Sequence, residues 1–255
     1  SFAKKMLKII AAAEIGKKVV EGIKASVEAG AALEQSIGGI ETLFKESSDT
    51  MIQYANNAFR TCGLSANDYM ETTTSFAASM LSSVGGDTAK AAELSNNALI
   101  AMSDNANKMG TNMQDIQNAY QGFAKQNYTM LDNLKLGYGG TKEEMQRLLS
   151  DANKLNKQQG IITDYSIDSF ADITEAIQVV QDNLGITGTT ALEAASTLSG
   201  SFGTMQAAWT NFIAKLSVGN RDQVNQAMMD LASSASTFLF QNLIPAKGRI
   251  ITQLP

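Results

Sequence analysis

A chain of 255 residues with 44% hydrophobic content can bury a sizeable core, and its two prolines, Pro245 and Pro255, leave everything before them without an obligatory helix breaker. The absence of histidine removes imidazole bases, Ser-His triads and the commonest transition-metal ligand, while a single cysteine, Cys62, excludes an internal disulfide and a thiolate cluster. The net charge of −5, carried with scattered lysines and arginines, offers no footprint for a phosphate backbone, so specific nucleic-acid binding is not expected.

The expected fold class is all-α: a long N-terminal helix, a helical bundle and an irregular C-terminal tail, divided as 1–38, 39–219 and 220–255. Phe2, Met6, Ile9, Ala13, Gly16, Val20, Ile23, Val27, Gly30, Glu34 and Ile37 alternate spacings of four and three, an a/d seam over about five heptads. The spacing predicts one long helix that packs on a partner through Met6, Ile9, Val20, Ile23 and Val27. Its small residues make the seam thin, and its lysines form a solvated face.

Gly38-Gly39 predicts a break, followed by a helix over about 41–61 that ends before Gly63. Ser65 is the expected cap of a helix over 66–83 stopping at Gly85-Gly86. Asp87 caps the next, over 88–108, which Gly110 ends. Thr111 with Gln114 predicts a capping box opening a helix to about residue 126, and 127–138 reads as a short return.

Thr141 with Glu144 and Thr190 with Glu193 predict two further capping boxes. Gly137, Gly139 and Gly140 precede the first, and Gly185 and Gly188 the second, at positions that suit positive φ. Between them Phe170, Ile173, Ile177, Val180 and Leu184 form a core stripe. Ala195, Leu198, Phe202, Met205, Trp209, Phe212 and Leu216 then repeat at three and four without a miss, so that a single helix is expected from Thr190 to Leu216. The ordinary reading of that stripe is intramolecular core. The sharper one is that Phe202, Met205, Trp209, Phe212 and Leu216 dock on another copy or partner, as exposed aromatic anchors do. Beyond Gly219, a helix over about 222–242 and an extended tail over 244–252 are expected.

The run from Gly139-Gly140-Thr141-Lys142-Glu143-Glu144-Met145-Gln146-Arg147-Leu148-Leu149 through Phe170-Ala171-Asp172-Ile173-Thr174-Glu175-Ala176-Ile177, Leu184-Gly185-Ile186-Thr187-Gly188-Thr189-Thr190-Ala191-Leu192-Glu193 and Ala208-Trp209-Thr210-Asn211 resembles the tape measure proteins of phage tails. The likeness reaches back more loosely through Met102 to Gly110 and Tyr120 to Tyr128, roughly half the chain. It implies a structural protein of the virion tail, lying in the tube lumen and assembled in a bacterial host cytoplasm. Such a protein sets tail length, scaffolds tube growth on the tip or baseplate, and leaves during DNA ejection. The implied partners are its own copies in a small homo-oligomer, a trimer, with tail tube protein, tail tip and baseplate proteins and tail assembly chaperones.

No catalysis, metal or cofactor is expected. Glu46-Ser47 and Asn118-Ala119-Tyr120-Gln121-Gly122 are similar to dipeptide and pentapeptide elements of lytic transglycosylases, but that family's Gly-Leu-Met-Gln element is missing. Glu143-Glu144 and the acids from Asp164 to Asp172 lack the alternation of a calcium loop. A membrane alternative rests on Met205 to Val218 and Leu231 to Ile244, amphipathic or apolar stretches suited to insertion on contact with a host membrane. No apolar run nears the ~18 residues of a spanning helix, and no signal peptide is evident. The start at Ser1 suggests a piece of something longer.

Overall fold

Side-chain caps and left-handed glycines set most helix ends in the computed structural model, which describes residues 26–245. α1 (26–44) passes through a 3-10 turn (Lys45–Ser47) into α2 (Ser48–Thr61). α3 (Ala66–Thr74) starts at Ser65, whose hydroxyl accepts from Asp68 N, and α4 (Ala77–Ser83) follows. Asp87 caps α5 (Thr88–Met109), accepting from Lys90 N at 2.9 Å, and Gly110 closes it at φ 65°. α6 (Met113–Phe123), a 3-10 turn (Leu131–Leu134), α7 (Lys142–Gln158) and α8 (Phe170–Asn183) lead to α9 (Thr189–Ser196), α10 (Leu198–Val218) and α11 (Arg221–Ser236). A π-helical run (Thr237–Leu243) comes last. The class is all-α, with no strand among the described residues.

One core runs through most of the bundle. Phe44 of α1, Met51 of α2, Tyr69 of α3, Leu99 and Met102 of α5, Tyr120 of α6, Leu148 of α7 and Ile177 of α8 are all buried in it. Each such side chain contributes about 1.5–3 kcal/mol on burial. Phe76 turns in at the α3–α4 junction, its ring centroid 5.6 Å from that of Phe170, which ties α4 to the start of α8.

Several expectations change. The long N-terminal helix is present over 26–44, but Gly38-Gly39 lies inside it, and the interruption falls at Lys45–Ser47, where Lys45 has φ 47°. Among the described residues the a/d seam faces in only by half: Val27 and Glu34 are exposed, whereas Gly30 is buried and Ile37 packs on the core, together with Leu33, Ile40 and Phe44 from outside the seam. The cause is α10, which crosses α1 so closely that a Cβ on Gly30 would lie 2.6 Å from Ser217 Oγ, and Ser26 Oγ donates to Ile213 O at 3.0 Å. Met6, Ile9, Val20 and Ile23, and the tail beyond Pro245, lie outside the described residues.

The helix expected over 66–83 is two helices, divided at Ser75-Phe76. Asn112, not Thr111, caps α6, because its side chain reaches Gln114 N at 2.8 Å while Thr111 Oγ1 donates to Asn133 O. Thr141 caps α7 as expected, but the Glu144 carboxylate returns to Gly139 N at 2.9 Å rather than to Thr141 N. The helix expected from Thr190 to Leu216 breaks at Thr197, where extended backbone lets the hydroxyl accept from Gly200 N at 3.0 Å and start α10.

Candidate interaction surface

α10 is built inside out. Its inward side carries small residues: Ser201, Thr204, Ala207, Ala208 and Ala214 are buried. Its regular stripe of large residues points outward, with Phe202 42%, Trp209 53% and Leu216 49% exposed, and Met205 and Phe212 half-buried between them. The inward face must be small because neighbouring backbone comes so near. A Cβ on Gly200 would stand 2.9 Å from Ala194 N and closer still to the Glu193 carbonyl, so α9 and α10 meet backbone to backbone. Gly203, by contrast, faces open space.

The ordinary reading of the stripe as core is therefore corrected, and the five residues Phe202, Met205, Trp209, Phe212 and Leu216 do share one surface. The sequence reading missed how that surface continues. α11 folds back on α10 through Gly219 and Asn220, with Asn220 and Gln223 exchanging hydrogen bonds in a capping box. Phe238 then packs at a tilt against Phe202 at 5.3 Å between centroids, and Trp209 lies 6.0 Å from Phe212. Leu239, Phe240 and Ile244 are exposed near the end of the same hairpin. Val27 is also exposed, on α1 beside α10.

α9 buries none of its residues, yet it is held in place by a fully buried carboxylate on α5. Asp104 accepts from Gly188 N at 2.7 Å and from Thr190 N at 2.8 Å, and its own carbonyl accepts from Thr189 Oγ1. Gly188 takes φ 82° to present its N–H. The expected Thr190–Glu193 box is thus replaced by a cap from 84 residues away in sequence. Thr190 Oγ1 is left buried without a partner, in a cavity of about 320 Å³ between α5, α9 and α10 that also holds Cys62 and Ser103. Burial pushes the Cys62 thiol up to about 11, against the opposing hydrogen bonds of Thr61 and Ser103.

Several charged groups elsewhere are paired. Arg147 grips Glu144 through two nitrogens and stacks 4.3 Å over Tyr138; with the Gly139 N–H, it holds the Glu144 carboxyl down at about 2. Arg60 of α2 meets Asp230 of α11 at 2.8 Å. Lys215 differs: it is buried within the α2–α10–α11 junction, where desolvation pushes its ammonium below the usual lysine value.

Glu46 is exposed on its 3-10 turn, accepting from Thr88 Oγ1 at 3.4 Å, whereas Tyr120 is buried against Phe123. Among the described residues no group of His, Cys, Asp and Glu is clustered to hold a metal, and no helix is long and apolar enough to cross a membrane. No family model, curated protein or solved structure matches the chain.

Proposed function

We propose that the chain is part of a tail tape measure protein of a phage or phage-tail-like particle. The reading rests on the ordered likeness of residues 137–216 to that family. The observation that carries it from likeness to role is the row of Phe202, Trp209 and Leu216, turned to solvent within that same block. Exposed, contiguous aromatic and aliphatic side chains mark a surface made to be covered.

In this proposal the bundle is the docking part of the protein. The α10 row pairs with a second copy in the small homo-oligomer, a trimer, and the assembly seats on tip or baseplate proteins. Tail assembly chaperones cover the apolar row before the tube protein encloses it. Length setting falls to continuous helical stretches, since an α-helix advances ~1.5 Å per residue and a folded bundle far less. The role is structural, without catalysis, in the tube lumen of a particle built in a bacterial cytoplasm, and the chain leaves on DNA ejection.

The test replaces Phe202, Trp209 and Leu216 together by serine in a particle that carries the chain. Lost tails or tails of irregular length, with the purified variant still folded, are the expected result. Tails of normal length and number, or purified tails without the chain, refute the reading. The same exposed row supports the alternative of a membrane-inserting helical protein; dye release from anionic liposomes by the wild type and not by the serine variant selects it.

A further inference from the structure

A partly open cavity of about 320 Å³ lies where α5, α9 and α10 meet the loop after α2, with apolar walls from Leu64, Ala106, Met113 and Ala194. Its volume is roughly twice the ~150 Å³ of an apolar void that takes up benzene, and it falls within the ~300–1,000 Å³ of small-molecule sites. Gly203 also lines it, and a Cβ added there would meet nothing within 4 Å.

The polar side chains of the wall are Cys62, Ser103, Asn107, Thr190, Glu193 and Thr204. Thr204 donates its hydroxyl to Gly200 O at 3.0 Å, and Glu193 is half-exposed, so that water reaches it. Thr190 Oγ1 and Asn107 Nδ2 are buried without a partner, and Ser103 Oγ, on a residue 4% exposed, has only the Cys62 sulfur beside it, a weak partner. Ser103 and Asn107 stand four residues apart on α5 and so share a face, and the bond from Thr190 N to Asp104 Oδ1 at 2.8 Å draws Thr190 to the same stretch. All three groups can donate, the two hydroxyls after rotation about one bond, and what they have in common to offer is a hydrogen bond to an oxygen. That oxygen is uncharged. No lysine or arginine lines the cavity, while Glu193 does and the buried Asp104 lies next to it, which disfavours an anion. A cation would pair with the hydrated Glu193 at little gain and leave the Asn107 donor unmet.

We propose that this cavity binds a small, mainly apolar and uncharged molecule that carries one oxygen function, with Ser103, Asn107 and Thr190 as the donors to that oxygen and Leu64, Ala106 and Met113 against its apolar body. The site does not depend on the tail reading above, because it lies behind α10 and not on its exposed row.

The experiment titrates the full 255-residue chain, isotope-labelled at its amides, by NMR with four probes of one shape: benzyl alcohol, toluene, benzylammonium and benzoate. The expected result is a saturable shift of the Ser103, Asn107 and Thr190 amides with benzyl alcohol, binding at least tenfold weaker with toluene, about 1.4 kcal/mol, and no saturable shift there with either ion. In the double variant Ser103→Ala, Thr190→Val the alcohol should fall to the affinity of toluene, because the groups that distinguish the two are gone. Gly203→Leu, whose side chain enters the free space, should lose both ligands. Equal affinity for benzyl alcohol and toluene overturns the proposal, as do tighter binding of either ion and unmoved amides with all four probes. These comparisons are made on the wild type and stand whether or not the variants fold.

Discussion

Asp104 concentrates more consequence in one side chain than any other residue described. It is wholly buried, and its two carboxylate oxygens serve two backbone N–H groups at the start of α9, those of Gly188 just before the helix and Thr190 within it. Asp104→Ala leaves both donors unpaired, at about 1–3 kcal/mol each, and is expected to lower the urea midpoint and to speed amide exchange at Gly188 and Thr190 first. Asp104→Asn keeps one acceptor and should lose roughly half as much. Glu144 gives a pH signature. Its folded value is depressed, so the stability it supplies is present above the ordinary glutamate range and disappears as pH falls towards about 2. A carboxyl titration by NMR should find Glu144 ionised when most other glutamates are protonated, and Arg147→Met should return it towards the ordinary value. Cys62, with its thiol raised to about 11, is expected to resist aromatic disulfide reagents at pH 8 and to react once urea unfolds the chain.

At the scale of the element, α9 and α10 test whether the close crossing is what breaks the helix. Gly200→Ala forces a methyl against the backbone of Glu193 and Ala194 and should destabilise by about 1–3 kcal/mol. Gly203→Ala, one turn along and facing open space, should be neutral or stabilising by up to about 1 kcal/mol, since alanine is the better helix former. Thermal unfolding of the two variants reads the contrast. Much of this architecture is legible in the sequence: Ser65, Asp87 and Thr141 cap where their spacing predicts, and Gly63, Gly110, Gly137, Gly185 and Gly188 take positive φ, although Gly139 and Gly140, expected to do the same, do not. Those signals act within a turn of the chain. The Thr190 cap failed because its competitor, Asp104, comes from a different helix, a contact no local pattern encodes. Of the predicted stripe, Ala195 falls on α9, while Phe202, Met205, Trp209, Phe212 and Leu216 share one face of α10, and periodicity defines only that large residues share a face. Which face turns inward is decided by Gly200 and the alanines, whose small size admits neighbouring backbone.

For the molecule as a whole, the docking proposal predicts concentration-dependent self-association by sedimentation that the triple serine variant at Phe202, Trp209 and Leu216 loses. Because these residues lie outside the core, the variant should keep its helical circular dichroism and unfold within about 1 kcal/mol of the wild type, as exposed substitutions generally do. Association driven by this row should persist in high salt, where screening would weaken a charge-based contact.

The division of α10 into two faces also bears on how the chain can diverge. Ser201, Thr204, Ala207 and Ala208 set the distance between helices, so any enlargement there disturbs the whole bundle at once. Phe202, Trp209 and Leu216 set no such distance. Their size and chemistry are free to drift with whatever covers them, and a change of partner can be accommodated on one side of a single helix while the architecture behind it stays constant.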